Sequence, residues 1–191
     1  MEYSSTQSSI LDVAQEFVQT RGYNAFSFRD VAERVGIRSA SIHHHYRTKG
    51  DLGVAMLVRY RAGFSAALAD ISARHGEYDE ALHAFSELFA NTIGAGRMCL
   101  AGTLAVEFET LPEEMQVEVR GFFVESEAWL EALFGAAHEA GRLRRCESPS
   151  DLAATFLSTV EGVMMCVRAV GDVSRLWTAV DQFKRQIERE C

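Results

Sequence analysis

Proline is nearly absent, with two residues in 191, and cysteine is sparse, with four. The shortage of proline leaves helices uninterrupted, because proline removes a backbone donor and clashes with the preceding turn. The cysteines, Cys99, Cys146, Cys166 and Cys191, are widely spaced and form no C-x-x-C pair. That spacing argues against both a structural zinc site and a disulfide framework. Residues 1–9 contain no basic segment followed by an apolar core, so no secretory signal is read there. The most apolar stretch, residues 152–167, is interrupted by Glu161 and is too short to span a bilayer comfortably. A cytoplasmic protein that does not engage membranes is therefore expected. Also missing are a phosphate-binding glycine loop, metal-ligand spacing and a nucleophile motif. The acids Glu107 and Glu109 lie two apart and do not share a helix face. Neither catalysis nor a cofactor is expected.

What is present reads as helix. At 48% hydrophobic and 24% charged the chain has an ordinary globular composition, and no alternating run marks a strand. Helices are predicted over residues 8–21, from Ser27 to Gly36, from Ser39 to near Tyr46, from 48–51 towards His75, and over 78–93. A shorter one follows over about 97–109. Thr110-Leu111-Pro112 opens another that continues to about 140, with Thr110 as N-cap and acids in the first turn. The last two span about 148–170 and 172–190. The expectation is an all-α protein of about nine helices.

Charge is unevenly spread. Residues 1–61 carry a net +2, whereas the whole chain carries −8, so the remainder carries −10. Such asymmetry suits a head that approaches phosphates and a body that stays away from them.

The segment from Phe28 to Leu52 carries the strongest signal. Val31 and Ala32 are followed by Val35-Gly36-Ile37 and, after a polar turn, by Ile42. Ala32 is small where two helices cross, and Gly36 takes the left-handed turn conformation at little cost. Val31, Val35, Ile37 and Ile42 lock the pair at a fixed angle, which lets the second helix enter a major groove.

The run Tyr23-Asn24-Ala25-Phe26-Ser27-Phe28-Arg29-Asp30-Val31-Ala32, then Val35-Gly36-Ile37, then Ser41-Ile42-His43-His44-His45-Tyr46-Arg47-Thr48-Lys49-Gly50-Asp51-Leu52 resembles the DNA-binding head of the TetR family of repressors. The match covers about residues 8–56. His43 stands where the family usually has Tyr, and Tyr46 where it usually has Phe. The resemblance implies a helix-turn-helix domain over residues 1–48 and a helical effector-binding and dimerisation domain over 49–191. It further implies a homodimer, formed mainly by the last two helices, on a palindromic duplex operator. Leu152, Phe156, Val160, Val163 and Met164 form an apolar stripe there. An intrachain core explains the stripe as well as an interface does. Dimerisation is favoured because two heads reading a palindrome need a two-fold axis.

Within the head, Ser27 and Arg29 open the second helix, where free N–H groups and a cation suit a phosphate. Lys49 is a second phosphate clamp by resemblance and by charge. Arg38, Ser39 and Ser41 are candidates for base-edge contacts, since Arg can pair bidentately with guanine. His43 and His44 can reach phosphate or base edges. The triplet His43-His44-His45 does not make a metal site, because consecutive helical positions point about 100° apart.

The family resemblance implies a small-molecule pocket in the body. Phe64, Phe85, Phe89, Phe108, Phe122, Phe123, Phe134 and Trp129 are available to it, although such spacing also builds cores. Cys99 is singled out. It follows Gly94-Ala95-Gly96-Arg97 and is placed in the first turn of a helix beside a cation, two features that favour thiolate. The stretch from Met98 to Ala105, continuing to Leu111-Pro112, is similar to a TetR branch that senses electrophiles or oxidants through cysteine; a buried, inert cysteine is the competing reading. Cys146 is a loop residue, Cys166 reads as core and Cys191 as a terminal thiol. The overall expectation is a repressor released by a small-molecule inducer or by modification of Cys99. A helical protein-interaction adaptor is the alternative, and salt-dependent binding to duplex DNA separates the two.

Overall fold

The computed structural model describes residues 3–143 and 147–188. Cys146 and Cys191, and the readings attached to them, lie outside these residues. Among the described residues there are nine α-helices and no strand. They are α1 (Ser5–Arg21), α2 (Phe28–Val35), α3 (Ser39–His45), α4 (Lys49–Arg74), α5 (Tyr78–Gly94), α6 (Leu100–Val106), α7 (Glu113–Glu139), α8 (Pro149–Val170) and α9 (Ser174–Glu188). Single 3-10 turns lie at Tyr23–Ala25 and Phe108–Thr110.

Local chemistry sets most of the boundaries. Ser4 and Gln7 form a reciprocal capping box before α1, three residues ahead of the start read from sequence. Thr48 and Asp51 do the same before α4, each side chain accepting the other's backbone N–H. Ser148 caps α8 by accepting from Asp151 N, and Asp172 accepts from Ser174 N ahead of α9.

The region of α6 departs from expectation. The helix is shorter than 97–109, because residues 97–99 stay out of it and the chain tightens into a 3-10 turn after Val106. Thr110 therefore does not cap α7. Its hydroxyl donates back to Glu107 O, and Leu111 is extended, as a residue before proline tends to be. The first α7 amides instead use Pro112 O, which accepts from Met115 and Gln116.

Two compact units result. One comprises the chain through Gly63 together with Leu100–Phe122; the other comprises Phe64–Cys99 and the chain from Phe123 onward. These are packing units, and they cut across α4 and α7. In the first, Ile10, Leu11, Val31, Ile42, Leu52, Met56 and Leu57 are buried together with Leu100, Leu104 and Met115. In the second, Phe85 stacks on Trp129 with ring centroids 5.5 Å apart, and Phe156 packs on Phe183 at 4.9 Å. Phe85, Phe89 and Phe134 are thus core residues of this unit.

On α8 Leu152, Phe156, Val160 and Met164 of the stripe are buried within the chain itself, and Val163 is half-buried. The four buried residues belong to the intrachain core, the competing account of that stripe, and not to an outward face. The opposite side of α8 exposes Ala154, Thr155, Ser158, Gly162, Met165 and Cys166. Cys166, expected in the core, is exposed because Met164 and Val167 take the inward positions on either side. By length and composition alone α4 and α8 could each cross a bilayer. Each also places residues in the core, Leu52, Met56 and Leu57 from α4 and Leu152, Phe156, Val160 and Met164 from α8.

Candidate nucleic-acid interface

The head is built on α2 and α3. Ser27 and Asp30 cap α2 reciprocally: Ser27 N and Oγ donate to Asp30 Oδ2 at 2.7 and 2.6 Å, and Asp30 N donates to Ser27 Oγ. These bonds hold the Asp30 carboxyl below its ordinary pKa. The helix stops at Gly36, whose φ of 79° lies in the left-handed region. The N–H groups of Gly36 and Ile37 both return to Ala32 O, at 2.9 and 3.0 Å. This closure re-aims the chain into α3. Val31, Ala32 and Ile42 are buried at the junction, while Val35 and Ile37 are half-buried.

This packing leaves a polar edge. Arg38, the residue before α3, is exposed, as are His43 and His44; Ser39 and Ser41 are half-buried. Arg29 is exposed on the first turn of α2. The three histidine rings do not converge on one point. His43 lies edge-on to Phe28 at 4.8 Å, and His44 and His45 meet edge to face at 5.3 Å. Among the described residues no group of three or more His, Cys, Asp or Glu side chains could hold a metal ion.

Two of the expected phosphate ligands have intramolecular partners. The Ser27 hydroxyl is engaged with Asp30 in both directions. The Lys49 ammonium donates to Tyr23 O at 2.6 Å and Phe26 O at 2.5 Å, and lies over both rings. Burial pulls the Lys49 pKa below its ordinary value, with Glu107 and Asp30 acting in the opposite direction.

Glu107, which sequence reasoning weighed only as an unconvincing catalytic acid, grips the same turn from its other side. Its carboxylate accepts from Tyr23 N at 2.8 Å, Asn24 N at 3.0 Å and Asn24 Nδ2 at 2.5 Å. Asn24 Nδ2 also reaches Thr110 Oγ1 at 3.1 Å. This turn thus has the N–H groups of residues 23 and 24 held by an anion and the carbonyls of residues 23 and 26 by a cation. Burial, assisted by Glu107, pushes the Tyr23 phenol up to about 12. Gly22 is required here: its φ is 93°, and a Cβ would collide with Glu107 Oε1. No sequence signal marks Glu107, because its partners lie more than 80 positions away.

The candidate effector residue, Cys99, is 1% exposed and sits immediately before α6, one position earlier than the first turn expected for it. Its thiol hydrogen-bonds the Glu161 carboxyl of α8. Burial pushes Glu161 up to about 7, with the thiol bond opposing that rise. Glu161 Oε1 is shielded from solvent and has no hydrogen-bond partner among the described residues.

Two helices crossing at a left-handed glycine, with a polar edge exposed on the second, define a helix-turn-helix DNA-binding protein. Comparison with known proteins sets the family. Residues 10–56 match the model for bacterial regulatory proteins of the tetR family, and residues 80–183 match the tetracyclin repressor-like C-terminal domain. The chain belongs to the TetR family of transcriptional regulators.

A TetR-family regulator from Agrobacterium tumefaciens is 32% identical over 97% of this chain and 98% of its own, with a TM-score of 0.93. One from Legionella pneumophila is also 32% identical, over 98% and 100%, with a TM-score of 0.87. Among curated proteins, the transcriptional regulator AcuR of Cereibacter sphaeroides is 25% identical, covering 85% of this chain and 76% of its own length. The repressor NemR of Escherichia coli K12 is 25% identical, over 74% and 71%. These relatives are transcriptional regulators and not enzymes, which retires the catalytic reading.

Proposed function

We propose that the protein is a cytoplasmic transcriptional repressor that binds a palindromic operator as a homodimer. The observation that carries this reading is the polar edge of exposed Arg38, His43 and His44 and half-buried Ser39 and Ser41, held at a fixed angle by the buried Val31, Ala32 and Ile42. Arg38, Ser39 and Ser41 read base edges, His43 and His44 contact base edges or phosphate, and Arg29 takes a phosphate. Ser27 supports that phosphate contact from the α2 cap, and Lys49 reaches a backbone oxygen with its remaining N–H. NemR is named a repressor, which favours repression over activation.

Dimerisation runs through α8 and α9. The exposed small residues Ala154, Ser158 and Gly162 recur every four positions and continue into the exposed Met165. Such a face allows two helices to approach closely. Release from DNA follows either binding of a small molecule to the body or covalent modification of Cys99. Cys99 is joined directly to α6, the helix followed by Glu107, the ligand of the head's Tyr23–Phe26 turn.

Selection from random duplex DNA, followed by fluorescence anisotropy at several salt concentrations, tests the reading. The expected result is a palindromic site whose affinity falls steeply with salt. Weak binding without sequence enrichment, from reduced and ligand-stripped protein, would sink it in favour of the adaptor. In the same assay, N-ethylmaleimide should release wild-type protein and leave Cys99→Ser bound.

A further inference from the structure

Buried Cys99 and half-buried Glu161 form a pair that DNA binding does not use. The thiol is one position ahead of α6, and the carboxyl comes from the middle of α8. One carboxyl oxygen, Oε1, is sealed from solvent with no hydrogen-bond partner among the described residues. A buried carboxylate left in that condition is costly, so a packing role alone gives no reason for an acid at this position.

An open cavity of about 400 Å³ is lined by chain neighbours of the pair, though by neither Cys99 nor Glu161 itself. Its wall includes Arg97 and Met98, which directly precede Cys99, and Met164, one helical turn beyond Glu161. Ile93, Val167 and Arg168 complete the part of the wall that matters here. The charged residues lining it are Arg97 and Arg168. Helices α5 and α9 pack against α8. The influences on the Glu161 carboxyl are burial and the Cys99 thiol, with no charged side chain of these elements exerting a resolved pull.

We propose that Glu161 is the proton acceptor that makes Cys99 a nucleophile towards soft electrophiles, for which the α,β-unsaturated carbonyl N-ethylmaleimide is the probe. The proposal rests on Cys99 being the effector residue. The thiol proton passes to the Glu161 carboxylate as sulfur attacks the β-carbon. The S–C bond forms while the C=C π bond breaks, and the electron pair moves onto the carbonyl as an enolate. The enolate α-carbon then takes the proton back from Glu161. The net change is addition of S–H across the double bond; nothing is oxidised and no group leaves. Afterwards the sulfur has no proton, and Glu161 is a buried carboxylate that has lost its donor, which disfavours the packing around the start of α6.

Direct coupling to a base differs in sign from simple electrostatics. A carboxylate that merely sits beside a thiol opposes thiolate formation, since like charges repel. A proton-accepting carboxylate speeds attack, by about 10²-fold or more. The test follows Cys99 alkylation by N-ethylmaleimide in the reduced, full-length protein, using peptide mass spectrometry with free cysteine as a reference in the same tube. Measurements run from about pH 5.5 to 9, across the ordinary thiol range and below it.

The expected wild-type rate rises through the Glu161 titration near pH 7. Glu161→Gln should lose that inflection and react about 10²-fold more slowly at pH 7.5, whereas Glu161→Asp should keep the inflection. An equal or faster rate in Glu161→Gln, with its circular dichroism unchanged, would overturn the proposal. If Glu161→Gln fails to fold, loss of the inflection in Glu161→Asp would do the same. Because alkylation is read without DNA, the two readings fail separately. A Glu161-dependent rate with undiminished release of Cys99→Ser by N-ethylmaleimide would refute Cys99 as the effector residue and leave the Glu161 chemistry standing.

Discussion

Replacing Glu161 by Gln should stabilise the protein at neutral and alkaline pH and do little in acid. The carboxyl titrates near 7 in the folded chain, against an ordinary value of 4.5, chiefly through burial. Below about pH 4.5 the group is protonated in both states and carries no differential cost. As pH rises towards 7 the unfolded chain gives up the proton while the folded chain keeps it, so stability falls by up to about 1.4 kcal/mol per unit. Above about 7 the loss is complete and constant. The interval of roughly 2.5 units corresponds to about 3 kcal/mol. Gln has nearly the same shape and no charge, so it should recover most of this at pH 8 and almost none at pH 4.5. Urea unfolding followed by tryptophan fluorescence, at one protein concentration and several pH values, measures the gap. Trp129, stacked on Phe85 in the same packing unit as Glu161, is a suitable local reporter. A gap between the two proteins that stays constant from about pH 5 to 8, or a wild type more stable than Glu161→Gln at pH 8, would refute the reasoning.

Other expectations concern the head. Glu107→Ala strands the N–H groups of Tyr23 and Asn24, and should lower stability by about 2–3 kcal/mol; an unchanged urea midpoint would show that water replaces the carboxylate freely. Ser27→Ala removes the α2 cap and should cost about 1 kcal/mol, visible as a lower thermal midpoint before any DNA is added. Arg38→Ala should weaken operator binding by about 1–3 kcal/mol while leaving the melting curve in place. Relaxed sequence preference would assign Arg38 to a base, a reduced salt slope would assign it to a phosphate, and wild-type affinity would remove it from the interface.

The legible parts of the sequence were those set by neighbours along the chain. Ser27 and Asp30, Thr48 and Asp51, and Ser148 and Asp151 are capping pairs three residues apart, and each fixes a helix start. Gly36 announced its turn because few other residues adopt a φ of 79° readily. Apolar spacing gave the nine helices, since a helix repeats within the window that the eye can scan. It could not tell which partner an apolar stripe meets. The stripe Leu152, Phe156, Val160, Val163 and Met164 fitted an interface and an intrachain core equally well, and all but the half-buried Val163 are spent inside the chain. Thr110-Leu111-Pro112 misled for a related reason. The caps at Ser27 and Thr48 act within their own helices, whereas Thr110 is held by Glu107 O and by Asn24, the latter 86 positions away.

Lys49 and Glu107 show how a charged residue's type can be informative while its role is not. A lysine at the mouth of a long helix beside a DNA-reading segment suggests a phosphate, whereas Glu107 and Glu109, two apart and on different helix faces, suggest no chemistry. In the folded chain both charges serve backbone first: Lys49 takes carbonyls of residues 23 and 26, and Glu107 takes amides of residues 23 and 24. A short turn leaves such groups without helical partners, and ionised side chains satisfy them more strongly than neutral ones do. The turn they fix leads, through Phe26, into the Ser27 cap of α2, so its geometry sets where Arg29 and the following helix begin. Glu107, a residue far outside the helix-turn-helix segment, thus fixes the turn from which α2 and its Arg29 begin.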